Sequence, residues 1–328
     1  MNIRIEKYDA SYESRWDDFV LNKSMNGTFL QTRRFLNYHP DGRFQDCSLM
    51  VFKGDALVAV IPGCREEADG KTVFFSHAGT TYGGLVICKD IYSASYLDGF
   101  VAEFLQYVKQ DSLEGAFLKQ TPLLFQNKDT ELLDYMLYKH GFQVFDELNY
   151  YLVLDKYKED ILSNFSSSKR RDYRYSLKNE LVFKELVTPD DIRAFHEVLT
   201  LNYKKLGIRL VHTPEELIEF KEKRLSEIVS FYGVYKDNQM LAASMIFQFP
   251  NRVFHTQYLC SNEEYLKLFP MDFLIYNLID VAVKRDNRLF TFGICTEDRG
   301  RYLNLGLSKF KEGFGTEFST NKSYEIFF

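Results

Sequence analysis

The sequence predicts an α/β protein made of two tandem copies of one unit, and three observations carry that prediction. A chain of 328 residues is longer than one usual domain and suits two of about 150–170 residues each. A hairpin, a strand, a helix, a strand, a helix and a strand follow one another over residues 48–154, and the order returns over 229–328 with a glycine-rich segment where the last helix would stand. A polar, serine-rich join at 155–168 separates the halves and sets the expected domains at 1–155 and 156–328.

In the first half, Ile3–Ile5 reads as a short strand. Residues 12–21 place Tyr12, Trp16, Phe19 and Val20 at helical spacing, and Arg33–Leu36 is a second short helix that ends before Pro40. A hairpin runs from Ser48 to Phe52, turns at Lys53-Gly54-Asp55 and returns from Ala56 to Pro62. Strand 72–75, helix 95–109, strand 116–119, helix 130–140 stopped by Gly141, and strand 150–154 complete the unit. The second half gives helix 189–206, helix 215–225, hairpin strands 229–235 and 240–249, and strand 252–260. Helix 271–284, strand 288–292 and a closing strand 324–328 follow.

Composition limits the functional classes. Hydrophobic residues make up 45% and charged residues 27%, which is the make-up of a soluble globular protein. Aromatics reach 16%, enough for large cores or stacking surfaces. A net charge of −5 gives no general attraction to DNA or to anionic membrane. No run of 18 apolar residues is long enough to cross a bilayer. The start, Met1-Asn2-Ile3-Arg4-Ile5-Glu6-Lys7, has no apolar signal region, so the cytoplasm is expected. Five cysteines without a C-x-x-C pair argue against both zinc and a disulfide framework, and no histidines stand at metal-ligand spacing. No tightly bound cofactor or metal is expected.

Asn304–Gly315 draws attention first, because three glycines within ten residues surround Lys311 and Phe310. It reads either as a glycine-rich turn with a solvated lysine or as a backbone that holds one cation against developing negative charge. The second motif is Ser166-Ser167-Ser168-Lys169-Arg170-Arg171-Asp172-Tyr173-Arg174-Tyr175. Its serines can cap a helix whose Arg171 and Tyr175 share one face, and Arg170 and Arg174 the adjacent one. Such a run is either a solvated face or an arginine fork for phosphate. The third is His77-Ala78-Gly79-Thr80-Thr81-Tyr82-Gly83-Gly84, a tight loop or the lining of an acceptor pocket. Gln31 is a similar, weaker candidate.

The element order resembles the GNAT acyltransferase fold in tandem, which implies two domains, each a mixed, largely antiparallel sheet flanked by helices. GNAT enzymes offer a glycine-rich loop at the start of the central helix to the pyrophosphate of acetyl-CoA. Residues 92–95 and 267–271, which stand there, contain no glycine. Tandem units, this altered loop and the Phe310–Gly315 ending together resemble the FemAB-like family of aminoacyl- and acyltransferases, often tied to peptidoglycan and other envelope glycans.

The resemblance implies an enzyme that moves an acyl or aminoacyl group from acyl-CoA or aminoacyl-tRNA to an amine of a nucleotide-linked or envelope precursor. It places Lys311 and Phe310 at the transfer centre and Arg171 and Tyr175, with Arg170 and Arg174 beside them, on the acceptor's phosphate. Tyr82, Gly83 and Gln31 would line the acceptor pocket, with holding in the first domain and transfer in the second. A glycan- or peptide-binding protein that has lost catalysis is the alternative of a different class.

Overall fold

The computed structural model describes residues 3–40, 42–207 and 210–328. The chain forms two compact units. The first comprises the described residues up to Glu147 together with Thr320–Phe328, and the second is Leu148–Ser319.

The first unit contains β1 (Arg4–Lys7), α1 (Glu13–Asp18), α2 (Arg33–Leu36), β2 (Gln45–Asp46), β3 (Leu49–Lys53) and β4 (Ala56–Ile61). After these come β5 (Cys64–Ala68), β6 (Lys71–Ser76), β7 (Val86–Ile87), α3 (Ala94–Gln110), β8 (Gly115–Lys119) and α4 (Glu131–Lys139). Strands β1, β3, β4 and β7 make a four-stranded antiparallel sheet. A second ladder runs β2-β5-β6-β8, with β6 and β8 parallel. Helix α3 forms because Leu97, Val101, Phe104 and Val108 fall on one stripe, and all are buried. Each such side chain contributes roughly 1.5–3 kcal/mol by leaving water.

The chain passes into the second unit within β9 (Gln143–Val153). There follow α5 (Ser167–Ser176), β10 (Val182–Leu186), α6 (Pro189–Leu206), α7 (Pro214–Glu219), β11 (Val229–Lys236), β12 (Gln239–Phe249) and β13 (Val253–Ser261). Next come α8 (Pro270–Lys284), β14 (Leu289–Ile294), the small hairpin β15 (Thr296–Glu297) and β16 (Tyr302–Leu303), α9 (Leu305–Glu312) and β17 (Glu317–Phe327). Here the ladder is β10-β11-β12-β13-β14-β9, antiparallel except between β13 and β14. Helix α6 begins where expected because Thr188 and Asp191 form a reciprocal capping box and Pro189 fills the first helical position. Helix α8 packs Leu274, Ile275, Leu278, Ile279 and Ala282 into this unit's core.

The closing strands correct the expected division. Residues 323–327 of β17, read as the end of the second domain, pair antiparallel with β8 and belong to the first unit. Residues 149–153 of β9, read as closing the first domain, pair with β14 in the second. The boundary falls at 147/148 rather than in the serine-rich join. That join instead carries two short 3-10 turns and the start of α5. Strand pairing between distant segments leaves no local trace in a sequence, whereas both strands read correctly as strands.

Candidate active site

The segment 304–315 is a helix where the sequence suggested a turn. Asn304 caps it by accepting from the Leu307 N–H at 3.0 Å, and α9 then runs through Gly306 to Glu312. Its inner face buries Ser308 and Lys311. Lys311 is 3% exposed, which removes the reading as a solvated lysine. Its Nζ donates to the carbonyl oxygens of Phe292 and Gly293 at 3.0 Å each and of Ile294 at 2.8 Å. All three ammonium donors therefore have acceptors.

Three consecutive carbonyls cannot face one point in a regular strand, because they alternate direction. Strand β14 resolves this with a bulge, its pairing with β9 slipping between Thr291 and Gly293. Gly293 sits at φ +73°, a region open to glycine. The bulge lies where β14 ends, and it turns the carbonyl row onto Lys311.

Burial lowers the Lys311 pKa, opposed by the neighbouring Cys295 thiol. Lys311 is the cation beside Cys295, yet burial still pushes the thiol above its ordinary value. His255, buried in β13, is pushed down to about 4 by burial and then by Lys311, so it is neutral at physiological pH. His255 was legible only as a histidine in a strand. Tyr150, Ser308 and Glu312 form a hydroxyl–carboxylate cluster on the same helix face. Ser308 donates to Glu312 at 2.9 Å, the Tyr150 hydroxyl lies 3.2 Å from the same oxygen, and the Tyr150 and Ser308 hydroxyls bond each other. The Tyr150 ring centroid is 6.0 Å from Lys311 Nζ.

Phe310 is half-buried and packs edge-on against Phe314 at 5.2 Å. Over both rings lies Lys169 Nζ, at 4.2 and 4.9 Å. Lys169 belongs to α5, the expected basic helix, which starts where Ser166 caps the Lys169 N–H. The inward residues of that helix are Lys169, Tyr173 and Ser176, while Arg171, Arg174 and Tyr175 are exposed and Arg170 is half-buried. Among the described residues, Arg171 bonds only its neighbour Asp172, at 3.2–3.3 Å. Tyr175 stacks on Phe269, 5.8 Å between centroids. Arg171 and Tyr175 thus present an open cationic and aromatic face.

Lys169 bonds Asp272 at 2.7 Å, with side chains 13% and 9% exposed. Asp272 stands in the first turn of α8, the helix that answers the coenzyme-A-binding helix of GNAT proteins. Burial holds its carboxyl above the ordinary range and Lys169 opposes that shift. A built-in acid therefore fills the helix start where a pyrophosphate would need free N–H groups and positive potential. The position before α8 is Phe269 at φ +54°, with no side-chain cap. These residues do not fit coenzyme A held in the ordinary GNAT manner.

The first-unit candidates form one buried cluster. Gln31 is fully buried: its Oε1 accepts from the Thr28 N–H and hydroxyl, and its Nε2 donates to the Gly83 carbonyl at 3.1 Å and to Thr121 at 2.6 Å. Gly83 admits no side chain, since a Cβ there would lie 2.2 Å from the Ser76 carbonyl oxygen. Tyr82 is 6% exposed, packed 5.2 Å from Phe125, and burial raises its pKa. Gln31 lies against the Tyr82-Gly83 loop, with the amide of Gln31 fully engaged in holding that loop.

Among the described residues, no group of histidine, cysteine and carboxylate side chains could hold a metal ion, and no helix is long and apolar enough to cross a membrane. All five cysteines are buried and unpaired.

Several solved structures share this architecture. FemX matches with a TM-score of 0.70 at 13% identity over 99% of this chain and 97% of its own. L-PGS from Bacillus licheniformis matches at 0.60 with 13% identity, covering 97% and 92% of the two chains. A tandem GNAT protein from the clavulanic acid biosynthesis pathway matches at 0.59 with 10% identity, covering 99% and 98%. Likenesses at such low identity speak for the fold: two tandem GNAT-like domains. No curated protein matches by sequence. The FemAB family description, however, matches residues 130–320, a stretch that includes α5, the bulge of β14 and Lys311. On that match, over more than half its length, the chain belongs to the FemAB family.

Proposed function

We propose that this protein is an acyl- or aminoacyltransferase acting on an amine of a nucleotide-linked sugar or other cell-envelope precursor, with transfer at the bulge of β14. The observation that carries the reading is the buried Lys311 ammonium fixed at that strand end by three carbonyls. Attack of a neutral amine on an ester or thioester carbonyl forms a tetrahedral oxyanion. A fixed cation out of bulk water stabilises that charge more than a solvated one does, and no reorganisation is needed as it develops. One ammonium N–H can turn from a neutral carbonyl to the oxyanion, exchanging a weaker bond for a charge-assisted one. The amine's proton leaves to water or to a substrate group.

The open face of Arg171 and Tyr175 suits an acceptor's phosphate. Tyr82, Gly83 and Gln31 would serve acceptor holding as the buried frame of a first-unit loop, since the amide of Gln31 is already engaged within it. The Asp272–Lys169 pair favours a donor recognised elsewhere than at the start of α8, so aminoacyl-tRNA and an acyl thioester both fit.

A second reading has its own observation, the saturation of Lys311: the residue would only tie α9 to β14 in a protein that binds without catalysing. A panel of acyl-CoAs and charged tRNAs, offered with a nucleotide-linked amino sugar, separates the two. Donor consumption by the parent protein and its loss in Lys311→Met, with both folded by thermal melting, supports the transferase. Transfer by Lys311→Met at the parental rate rules out the assigned centre, and no consumption by the parent supports the binding protein.

A further inference from the structure

The loop from His77 to Gly84 carries one side chain whose donor the fold leaves unused. His77 is 3% exposed. Its Nδ1 accepts from the Gly79 N–H at 3.0 Å. Burial pushes its pKa down to about 4, with Asp46 opposing, so the ring is neutral at physiological pH. A neutral imidazole whose Nδ1 accepts must carry its proton on Nε2. That Nε2–H has no acceptor among the described residues, yet it keeps accessible surface, unlike the enclosed and equally unpaired Gln120 Nε2. Buried donors are nearly always satisfied, so a donor left open at a cavity wall marks a place for an acceptor from outside.

His77 lines a cavity of about 180 Å³ in the first unit, shared with Leu36, His39, Phe44 and Asp46. Drug-sized pockets begin at roughly 300 Å³, so this one admits a single small ring and excludes a whole nucleotide. Phe44 stands edge-on to both His39 and His77, at 4.7 and 5.1 Å between centroids, and three rings make one wall. Asp46 accepts from the Ser48 N–H at 2.8 Å and bonds Arg33, while its side chain stays 42% exposed. Each carboxylate oxygen keeps a second lone pair for another donor. Arg33 balances the charge of Asp46 and His77 has none, so these groups give an ion no advantage over a neutral ligand. A hydroxyl can accept from an N–H and donate to a carboxylate at once, whereas an ether can only accept. Aromatic walls with a few convergent polar groups suit a ligand with an apolar body and a polar edge.

We propose that this cavity is a subsite for one neutral sugar ring, a hydroxyl of which accepts from His77 Nε2 and donates to Asp46, with Phe44 against the ring. Binding here needs no donor and no transfer step, so it does not rest on the transferase reading. It can fail while transfer at Lys311 stands, and the reverse holds too.

Magnetic resonance of the full chain, with isotopically labelled histidine ring nitrogens, tests it at constant pH and ionic strength. Without ligand, His77 should show a neutral ring protonated at Nε2. D-glucose and N-acetyl-D-glucosamine as free sugars, and UDP-N-acetyl-D-glucosamine as a carried one, distinguish the source. Tetrahydropyran, which has the ring without hydroxyls, and UDP alone are the blanks. At least one sugar should move the His77 signals saturably as one site, and the blanks should bind at least about tenfold more weakly. His77→Asn keeps an acceptor for the Gly79 N–H and loses the Nε2 donor. By titration calorimetry it should weaken that sugar about tenfold. Phe44→Leu, which removes part of the ring wall, should weaken it severalfold and carries the test if His77→Asn fails to fold. The proposal is overturned if His77 is protonated at Nδ1 or if no sugar moves its signals. A blank that binds as well as the sugar, or a folded variant with parental affinity, overturns it as well.

Discussion

Helices α4 and α9 hold corresponding places in the order of the two units, each followed by a glycine–phenylalanine turn, and they bury opposite things. The inner face of α4 carries Leu133, Met136 and Leu137. That of α9 carries Ser308 and Lys311. In the first unit the helix is held by apolar packing, as a surface helix normally is. In the second, three hydrogen bonds to a bulged strand replace that packing. A helix that gives up its apolar stripe for a buried cation accepts a desolvation cost, and such departures from the packing rule collect at functional sites. The difference supports the proposed placing of the transfer centre in the second unit, on physical grounds that do not depend on the family match.

The comparison can be broken first at the support beneath α9. Lys169→Met leaves Asp272 buried without its partner and should destabilise the second unit by roughly 3–5 kcal/mol, read by denaturant unfolding. Replacing both residues, as Lys169→Met with Asp272→Leu, should recover most of that loss. A single variant as stable as the parent would show that the pair does not hold α5 to α8.

Next come the two helices themselves. Lys311→Met should lower the transfer rate by about 10²–10³-fold, the effect of removing one donor from an oxyanion site. Leu133→Ala in α4 should instead cost about 2–4 kcal/mol of stability through its cavity and leave the rate per folded molecule unchanged. Similar rate losses in both variants would erase the contrast.

A smaller effect sharpens the first unit's side. Burial holds the Asp134 carboxyl up to about 6, with a Tyr324 hydrogen bond and Lys322 opposing. Between the unfolded value near 4 and about 6, the folded state keeps a proton that the unfolded state releases, so stability falls as pH rises through that window. Asp134→Asn should flatten this slope and add about 1–2 kcal/mol above pH 7, seen in thermal melts at pH 4.5 and 7.5. An unchanged slope would place the titration elsewhere.

Least costly to the fold is Arg171→Ala, whose side chain is 62% exposed. Its melting temperature should match the parent's, while the KM for a phosphorylated acceptor rises about tenfold on losing a charge-assisted bond. A normal KM would remove Arg171 from acceptor binding.

Much of the fold was legible because it rests on local signals. The hydrophobic stripe of α3, the extents of α6 and α8 and the hairpin at Lys53-Gly54-Asp55 all appear where spacing and turn chemistry put them. The site was legible in part. Glycines at 306, 313 and 315 suggested irregular backbone, yet only Gly315 takes a left-handed angle, φ +85°, and Asn304 suffices to start a helix. Helical spacing showed which residues of α5 share a face but not which face turns inward. That is decided by Tyr173 stacking on Tyr276, 4.1 Å between centroids, which carries Lys169 in with it. The apolar positions Phe165 and Tyr173 held that signal. The bulge in β14 and the carbonyls it gathers have no sequence mark beyond Gly293. The fate of the last strand depends on a partner some two hundred residues away, between 115–119 and 323–327.

That last pairing has a consequence during synthesis. The first unit's sheet lacks a strand until residues 323–327 have left the ribosome, so its core around Tyr324 stays open while the whole second unit is made. At a bacterial or eukaryotic pace of about 5–20 residues per second, residues 148–319 take roughly 10–30 s. Throughout that interval the edge of β8 is exposed to any other extended segment. The nascent chain should therefore depend on chaperones in its N-terminal half, and loss of the final nine residues should leave an N-terminal unit that is digested by protease while the second survives.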